Sequence, residues 1–229
     1  MRHAGALWQP SPNFGARRGG AVPDLVVLHY TAMESCAAAL ERLCAAEHEV
    51  SAHYLIAADG TLVQLVDETD RAWHAGAGAW GAVDDVNSRS IGIELDNRGD
   101  DPFPEPQLAR LEALLADLLA RHRIPPERVI GHSDMAPGRK HDPGPRFPWR
   151  RLARAGLSVW PDADPGPDRA AAPDRVRLAA ALAAFGYRGE LAPMLDAFHL
   201  RFRPHAGAPD ATDLAMAEAL AARWPVRPA

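Results

Sequence analysis

Three side chains that could bind a metal ion lie at the ends of short apolar runs or in the loop that follows one of them. His29 lies near the end of the apolar run D-L-V-V-L-H-Y, which is typical of a buried strand, and His132 directly follows the short apolar run V-I-G. Asp142 lies in the Pro- and Gly-rich loop that comes next. Two histidines at the ends of neighbouring strands can reach one point, and a His₂-carboxylate set leaves a catalytic zinc one open position. Each residue alone is also typical of a structural role, but together they predict a metal site.

Two further residues could complete a hydrolytic site. Glu94 lies in I-G-I-E-L-D, where apolar neighbours place a carboxylate at the edge of a core and allow it to act as a general base. Lys140 precedes Asp142 by two residues, so a metal ligand would hold its ammonium group near a developing oxyanion. Without the metal cluster, these residues would be interpreted as a half-exposed strand glutamate and a solvated loop lysine.

The elements that must position these residues can be predicted from hydrophobic patterning. Short apolar or alternating runs predict strands, an Asp-Gly pair between two β-rich runs predicts a hairpin, and a leucine stripe at helical period predicts a helix. The predicted strands cover 24–30, the two arms of a hairpin around Asp59-Gly60, 90–96 and 129–131, and the predicted helices cover 34–46 and 107–123. This order predicts an α/β fold in which α-helices flank a mixed β-sheet.

The composition of the chain changes after residue 157. A stretch rich in Pro, Asp and Ala is typical of a linker, and three short amphipathic segments follow it near 174–185, 190–201 and 211–223. We therefore predict a catalytic domain over 1–157, a linker over 158–172 and a small all-α domain over 173–229. Because a domain of about 60 residues is marginally stable alone, we expect it to dock on the larger one.

Composition and termini exclude several classes of protein. A formal net charge of −5 and a pI near 6.0 argue against a nucleic-acid-binding protein. No stretch reaches the roughly 18 apolar residues of a membrane span. Cys36 and Cys44 lie on one predicted helix, roughly 12 Å apart, too far for a disulfide. The first residues lack signal-peptide and lipobox features, which favours a cytoplasmic protein as encoded, or a periplasmic one if the true start lies upstream.

Five ordered motifs between about residues 20 and 155 resemble a known family. They are V-L-H-Y-T-A, S-A-H-Y-L-I-A-A-D-G, R-A-W-H-A-G, N-S-R-S-I-G-I-E-L-D and G-H-S-D-M-A-P-G-R-K-H-D-P-G-P. This pattern is similar to the zinc-dependent N-acetylmuramoyl-L-alanine amidases of the AmpD and AmiD type, relatives of the peptidoglycan-recognition proteins. The resemblance implies hydrolysis of the amide between a muramyl lactyl group and L-alanine, with peptidoglycan or an (anhydro)muropeptide as substrate.

The resemblance also implies a role for each candidate residue. The metal ligands of one Zn²⁺ per chain would be His29, His132 and Asp142, the catalytic glutamate would be Glu94, and the lysine that stabilises the transition state would be Lys140. The alternative function is a non-catalytic peptidoglycan-recognition module, which keeps the fold and loses metal ligands. The presence of all five residues disfavours that alternative.

Other residues in the motifs have less specific expectations. His53 and His74 could line the groove, orient their neighbours or be structural, and Trp73 could pack or form a platform for a sugar. Asn87 and Arg89, which precede the glutamate strand, could touch the stem peptide. The C-terminal segment resembles the small helical peptidoglycan-binding-type domain of AmiD-type amidases, and a packing appendage without a ligand is the alternative. We expect a monomer.

Overall fold

A six-stranded mixed β-sheet forms the centre of the computed structural model, which describes residues 1–164, 166 and 168–226. The strands are β1 (Leu7–Trp8), β2 (Phe14–Ala16), β3 (Leu25–Tyr30), β4 (Tyr54–Ile56), β5 (Leu62–Gln64), β6 (Asp70–Ala72), β7 (Ser90–Leu95) and β8 (Val129–Gly131). The sheet order is β1-β5-β4-β7-β3-β8, while β2 and β6 pair separately. Strands β4, β7, β3 and β8 run parallel, and β5 is antiparallel to β4.

Eight α-helices surround this sheet in the part of the chain that the structure describes. They are α1 (Cys36–Cys44), α2 (Val86–Arg89), α3 (Glu105–His122), α4 (His132–Met135), α5 (Trp149–Arg154), α6 (Arg175–Phe185), α7 (Leu191–Phe202) and α8 (Ala211–Arg223). None of these helices is long and apolar enough to cross a bilayer. The mixed sheet flanked by helices confirms the predicted α/β class, and the three predicted C-terminal segments are present as helices α6, α7 and α8.

The boundaries of the predicted elements are close to those in the structure, but three strands and the three short helices α2, α4 and α5 were not predicted. The hairpin around Asp59-Gly60 is present as β4 and β5, and both predicted cysteine thiols are free. Strands β1, β2 and β6 were not predicted, because runs of two or three residues carry too little alternation to be recognised. Of the predicted linker, residues 165 and 167 lie outside the described residues, as do residues 227–229 of the predicted C-terminal domain.

Alternation along β3 assigns its side chains to two different cores. Val26 and Leu28 face a core that α3 closes with its leucine stripe. Leu25 and Val27 face the opposite side, in a core shared with α6, α7 and α8. Because successive side chains of a strand point to opposite faces, His29 shares the face of Leu25 and Val27. The metal-binding candidate therefore lies on the face that the C-terminal helices cover.

That face of the sheet is covered by two separate groups of helices. Helix α1, whose N-cap Ser35 accepts a hydrogen bond from the amide of Ala38, packs over Leu55 and Val63 of β4 and β5. The C-terminal helices pack over β3 and β8. Between the two groups, the carboxyl ends of β3 and β7 and the loop after β8 remain uncovered. This gap is where a cleft can form.

The C-terminal helices dock closely on the larger domain. Trp80 contacts Phe185 and Tyr187 edge-on, with ring centroids 5.4 and 5.1 Å apart. Gly186, with φ of 143°, ends α6 directly against the indole, and a Cβ there would lie 2.4 Å from a Trp80 ring atom. One continuous apolar core therefore joins the C-terminal helices to β3 and β8.

Candidate metal centre and active site

Three potential ligand atoms converge at the uncovered ends of β3 and β8. Nδ1 of His29 lies 3.0 Å from Nδ1 of His132 and 2.9 Å from Oδ2 of Asp142, and Nδ1 of His132 lies 3.0 Å from the same carboxylate oxygen. All three residues are buried. They form the one group of three His, Cys, Asp or Glu side chains, among the described residues, whose arrangement could hold a metal ion.

The other ring nitrogen of His132 is occupied by a backbone acceptor. Its Nε2 lies 2.9 Å from the carbonyl oxygen of Ala75. A carbonyl can only accept, so Nε2 carries the proton and the lone pair of the neutral imidazole is on Nδ1. This is the arrangement that metal-binding histidines usually adopt.

A chain of side chains fixes His29 in the same tautomer. The Ser90 hydroxyl donates to the carbonyl of Val86 at 2.6 Å, so its oxygen accepts from Nε2 of His74 at 3.1 Å. The proton of neutral His74 is then on Nε2, and its Nδ1 must accept from Nε2 of His29 at 3.0 Å. Nδ1 of His29 is thereby left with a lone pair directed at the cluster.

A cation fits this arrangement of donors. Two imidazole lone pairs and a carboxylate oxygen within 3.0 Å of each other would repel in the absence of positive charge. Tetrahedral zinc with bonds of about 2.0–2.1 Å separates its ligands by about 3.3 Å, close to the observed spacing. Histidine nitrogen and carboxylate oxygen are both ordinary zinc ligands. The three residues can therefore hold such an ion with small adjustments.

Burial keeps His29 and His74 neutral. Burial and then the neighbouring His132 lower the pKa of His29 to about 4. Burial, followed by His29 and His53, holds the pKa of His74 well below its usual value of 6.5. At neutral pH neither ring needs to lose a proton before a metal binds.

Gly92 allows the His74 ring to reach His29. A Cβ on Gly92 would lie 2.4 Å from Cγ of His74, so the ring packs directly on the strand backbone. Packing therefore explains why position 92 of the G-I-E motif is a glycine, because any larger residue would displace the His74 ring that contacts His29. The same strand carries Ser90 below the ring and Glu94 above it.

Glu94 lies beside the cluster without a partner of its own. It pairs in register with His29 across β7 and β3, so both side chains share a face of the sheet. Its Oε2 is buried and has no hydrogen-bond partner among the described residues. Burial and then the Asp142 charge raise the pKa of Glu94 well above its ordinary value, while Lys140 opposes the rise. Burial and a nearby negative charge both favour the protonated form of a carboxylate over the ionised form.

A cleft of about 400 Å³ opens over these groups. Lys140, Glu94, His29, His132 and Asp142 all line it. Trp73 also lines the cleft and is half-buried. His141, which follows Lys140 in the chain, is exposed and does not belong to the candidate metal-binding group. A substrate amide in this cleft would meet the cluster, a carboxylate and an ammonium group together.

Of the other motif residues, His74 lines the cleft, whereas His53 and Asn87 do not. His53 is fully buried beneath the cleft, where Nδ1 accepts from the amide of Gly92 at 3.0 Å. The buried Asn87 accepts from the amides of His74 and Ala75 at 3.0 and 2.9 Å, so it positions the segment that contacts both histidine ligands. The contact of His53 fits its expected orienting or structural role, whereas the amide contacts of Asn87 are internal and differ from the expectation that it touches the stem peptide.

Arg89 requires a clearer correction. Its guanidinium group pairs with Asp24, and both residues precede parallel strands, β7 and β3, whose carboxyl ends carry the cleft. Five residues of strand, about 16 Å, separate Arg89 from Glu94. Arg89 therefore lies at the opposite end of the sheet and cannot contact a substrate in this cleft.

Sequence reasoning missed two residues that contact the ligand set indirectly. Ser90 lies in the N-S-R-S-I-G-I-E motif, so its position in the motif was the available signal. Asp134, fully buried in α4, accepts from the amide of Gly131 at 2.7 Å and shapes the turn that carries His132. Its partners lie on the C-terminal helices, and no local pattern indicates them.

Known proteins share both this sequence and this fold. Residues 19–145 match the Amidase_2 family, described as N-acetylmuramoyl-L-alanine amidase. The N-acetylmuramoyl-L-alanine amidase AmiD of Escherichia coli strain K12 is 38% identical, over 87% of this chain and 83% of its own length. The 1,6-anhydro-N-acetylmuramyl-L-alanine amidase AmpD of the same strain is 34% identical over 165 residues, which cover 65% of this chain and 90% of AmpD.

Solved structures extend the similarity to nearly the whole chain. AmiD from E. coli, in complex with anhydro-N-acetylmuramic acid-L-Ala-D-gamma-Glu-L-Lys, matches 93% of this chain and 98% of its own with a TM-score of 0.82 and 34% identity. AmpDh3 from Pseudomonas aeruginosa, in complex with an anhydromuramic pentapeptide, matches 99% of both chains with a TM-score of 0.79 and 32% identity. The chain belongs to the N-acetylmuramoyl-L-alanine amidase family.

Proposed function

We propose that this chain hydrolyses the amide between the lactyl group of N-acetylmuramic or anhydromuramic acid and the L-alanine of a stem peptide, using one zinc ion held by His29, His132 and Asp142. The observation that carries this proposal is the convergence of three lone-pair donors, 2.9–3.0 Å apart, beside an unpartnered carboxylate. Complexes of AmiD and AmpDh3 with anhydromuramyl peptides support the substrate class.

The ligand set leaves space for chemistry on one side. Two histidines and an aspartate would supply three ligands, as in catalytic zinc sites that keep one position for water or substrate, and all three residues line the cleft. When bound, zinc supplies Lewis acidity to the scissile carbonyl and to the attacking water. The outer hydrogen bonds from His132 to Ala75 and from His29 to His74 keep both rings in the tautomer that can bind it.

Glu94 is the general base in this proposal. Burial raises the pKa of Glu94, which makes its carboxylate a stronger base, and its free oxygen lies beside the candidate metal ligands that line the cleft. It takes a proton from water as the water oxygen adds to the carbonyl carbon. When the carbon–nitrogen bond breaks, the same proton passes to the leaving amine of L-alanine. The products are a free lactyl carboxylate and a stem peptide.

Lys140 stabilises the oxyanion that forms when water adds. It follows the turn after α4, and its side chain lines the cleft. Its positive charge lowers the pKa of both Glu94 and His29, which supports an electrostatic role for Lys140 in this cleft. A positive charge held there before the reaction begins lowers the barrier for a negatively charged transition state.

Mass spectrometry of two substrates tests the reaction. Purified anhydromuropeptide and intact sacculi would each be incubated with the protein, with and without a chelator. We expect release of free stem peptide that stops with chelator and returns with zinc. A zinc-loaded protein that cleaves neither substrate would contradict the proposal and favour a recognition module.

Three variants test the residue assignments. Glu94→Gln should keep zinc and lose turnover by about 10²–10⁴-fold, the usual contribution of a general base. Asp142→Ala should lose zinc as well as turnover, because a ligand is gone. His141→Ala, at the exposed neighbouring position, is the control and should keep zinc. An Asp142→Ala protein that retains full zinc occupancy and activity would overturn the ligand set.

A further inference from the structure

A buried ion pair joins the C-terminal helices to the turn that carries His132. Nη1 of Arg201, in α7, donates to Oδ2 of Asp134 at 2.8 Å, and both side chains are 1% exposed or less. The hydroxyl of Tyr187, which follows α6, donates to the other carboxylate oxygen at 2.6 Å. Both oxygens of Asp134 are therefore bound by the C-terminal part of the chain.

Asp134 transmits this contact to the candidate metal ligands. Its Oδ2 also accepts from the amide of Gly131 at 2.7 Å, which fixes the start of the four-residue helix α4 on which His132 lies. The amide of Ser133, which directly follows His132, donates to the carbonyl of Asp142 at 2.9 Å. Two of the three candidate ligands are thus held through the same short turn.

Arg201 also holds the strand that leads into this turn. Its Nη2 donates to the carbonyl of Val129 at 3.1 Å and to the hydroxyl of Ser158 at 3.2 Å. Its guanidinium lies over the Trp149 ring, 4.4 Å from the centroid. One side chain from α7 therefore contacts β8, the turn after it and helix α5 of the catalytic part.

We propose that Arg201 and Tyr187 are positioning residues for the metal centre, and that the C-terminal helices serve as its support. This inference rests on the proposed function, since it assigns a role toward the zinc ligands. A short helix has few backbone hydrogen bonds of its own, so an outside anchor decides where His132 points. The polar groups of the C-terminal helices that enter this contact are turned toward the catalytic sheet, not toward a cell-wall ligand.

Zinc affinity, measured by competition with a chromophoric chelator, tests the proposal. Arg201→Met should weaken zinc binding about 10-fold, the lower end of the loss seen when partners of metal ligands are removed. Tyr187→Phe removes one hydroxyl only, should fold normally, and should weaken zinc binding by a smaller factor than Arg201→Met. All measurements would be made at a temperature at which every variant is folded by circular dichroism.

Two control variants separate support of the metal site from general stability. Arg188→Met removes an ion pair between Arg188 and Asp84 that also joins the two parts but is exposed. Leu182→Ala lowers stability within the shared core without touching Asp134. We expect both controls to keep the zinc affinity of the wild type. Equal affinities in all four variants would overturn the proposal.

Hydrogen exchange in the metal-free protein provides a second measurement. The amides of residues 131–134 should exchange faster in Arg201→Met and Tyr187→Phe than in the wild type. In Arg188→Met their exchange rates should equal those of the wild type. If the wild type binds no zinc, the proposed function fails, and this exchange comparison still decides whether the helices hold the turn. Unchanged exchange in both variants would show that they do not.

Discussion

The two histidines of the candidate metal centre are supported by different parts of the molecule. His29 lies on β3, an interior strand that pairs with β7 on one side and with β8 on the other. Its ring then needs only an acceptor for Nε2, which His74 provides from the same domain. Because the strand already fixes the backbone of His29, one neighbouring side chain in the correct tautomer is enough to fix the orientation of its ring.

His132 begins a four-residue helix after the edge strand β8, where the backbone has fewer constraints. Its ring is held by a single carbonyl, and its turn is held by Asp134 with two donors from the C-terminal helices. The comparison indicates that nearby strands and His74 set the position of the His29 ring. The position of the His132 ring depends instead on a segment more than fifty residues further along the chain. The predictions below test this difference.

The largest effect is expected from ending the chain after residue 172. Truncation would expose the apolar face of Leu25, Val27 and Ile130 and leave the buried Asp134 carboxylate without Arg201. Breaking a buried ion pair costs about 3–5 kcal/mol by itself, a large part of a typical stability of about 5–15 kcal/mol. We expect loss of a cooperative thermal transition by circular dichroism.

This expectation has an informative contrast within the family. AmpD of E. coli aligns over 90% of its own length with only 65% of this chain, so about a third of this chain has no counterpart in that alignment. A truncated protein that unfolds sharply and binds zinc like the full chain would show that the catalytic part is independent here too. It would remove the distinction between the two histidine supports.

The next largest effect is expected at His74. Replacing it with Phe keeps the ring and removes the acceptor for Nε2 of His29, so zinc affinity should fall about 10–100-fold. Asn at this position can present an amide oxygen near the lost nitrogen and should recover part of the affinity. His53→Phe, at a second buried histidine without contact to His29, is the control. Similar zinc affinities for His74→Phe and His53→Phe would contradict local support of His29.

Acid stability should depend on a third buried network, outside both supports. The fully buried carboxylate of Glu68 is bound by Arg121, His122 and Tyr54. Burial opposes ionisation, but the hydrogen bonds from Arg121 and His122 outweigh it and hold the pKa of Glu68 well below its usual range. A lowered carboxyl pKa stabilises the fold above the unfolded-state pKa of about 4.3, and this stabilisation is lost as the pH falls below it.

Urea unfolding at pH 7, 5 and 3 measures this effect. The stability difference between the wild type and Glu68→Gln should be constant from pH 7 to 5 and shrink by about 2 kcal/mol by pH 3. If both proteins lose stability in parallel, Glu68 does not carry the acid sensitivity. The supports of His29 and His132 would then be the next candidates for it.

Local patterns were sufficient to identify the candidate ligands at the ends of apolar strands. His29 and His132 were recognised because histidines at the ends of neighbouring strands can reach one point, and Glu94 because its apolar neighbours indicate the edge of a core. The register of β3 and β7 then places Glu94 on the face of His29. The hairpin and the leucine-rich helix α3 follow equally from turn chemistry and period. These features depend on residues close in sequence, or on the motifs by which the chain resembles its family.

Long-range packing explains what could not be predicted. The His74 ring reaches His29 only because Gly92 lets it lie on the strand, and no period in the sequence reports such a close approach. Arg201 and Asp134 are separated by 67 residues and lie in segments whose polar residues would normally face solvent. The error over Arg89 has the same origin, because proximity to Glu94 in sequence does not show at which end of a strand a side chain lies.

The smallest effect is expected from Arg188, which sharpens the contrast with Arg201. Both arginines reach from the C-terminal helices to an aspartate of the catalytic part, but the Arg188 and Asp84 side chains are 52% and 80% exposed. Exposed ion pairs contribute about 0–1 kcal/mol and are screened by salt, whereas removing one partner of a buried pair costs about 3–5 kcal/mol. Arg188→Met should therefore lower the free energy of unfolding in urea by less than about 1 kcal/mol, with the difference vanishing in 1 M NaCl. Arg201→Met should lower it by several times more at either salt concentration, because its partner Asp134 remains buried without compensation. Equal losses for the two variants would mean that the domain contact is set by net charge at the surface, and the edge histidine would then have no special anchor.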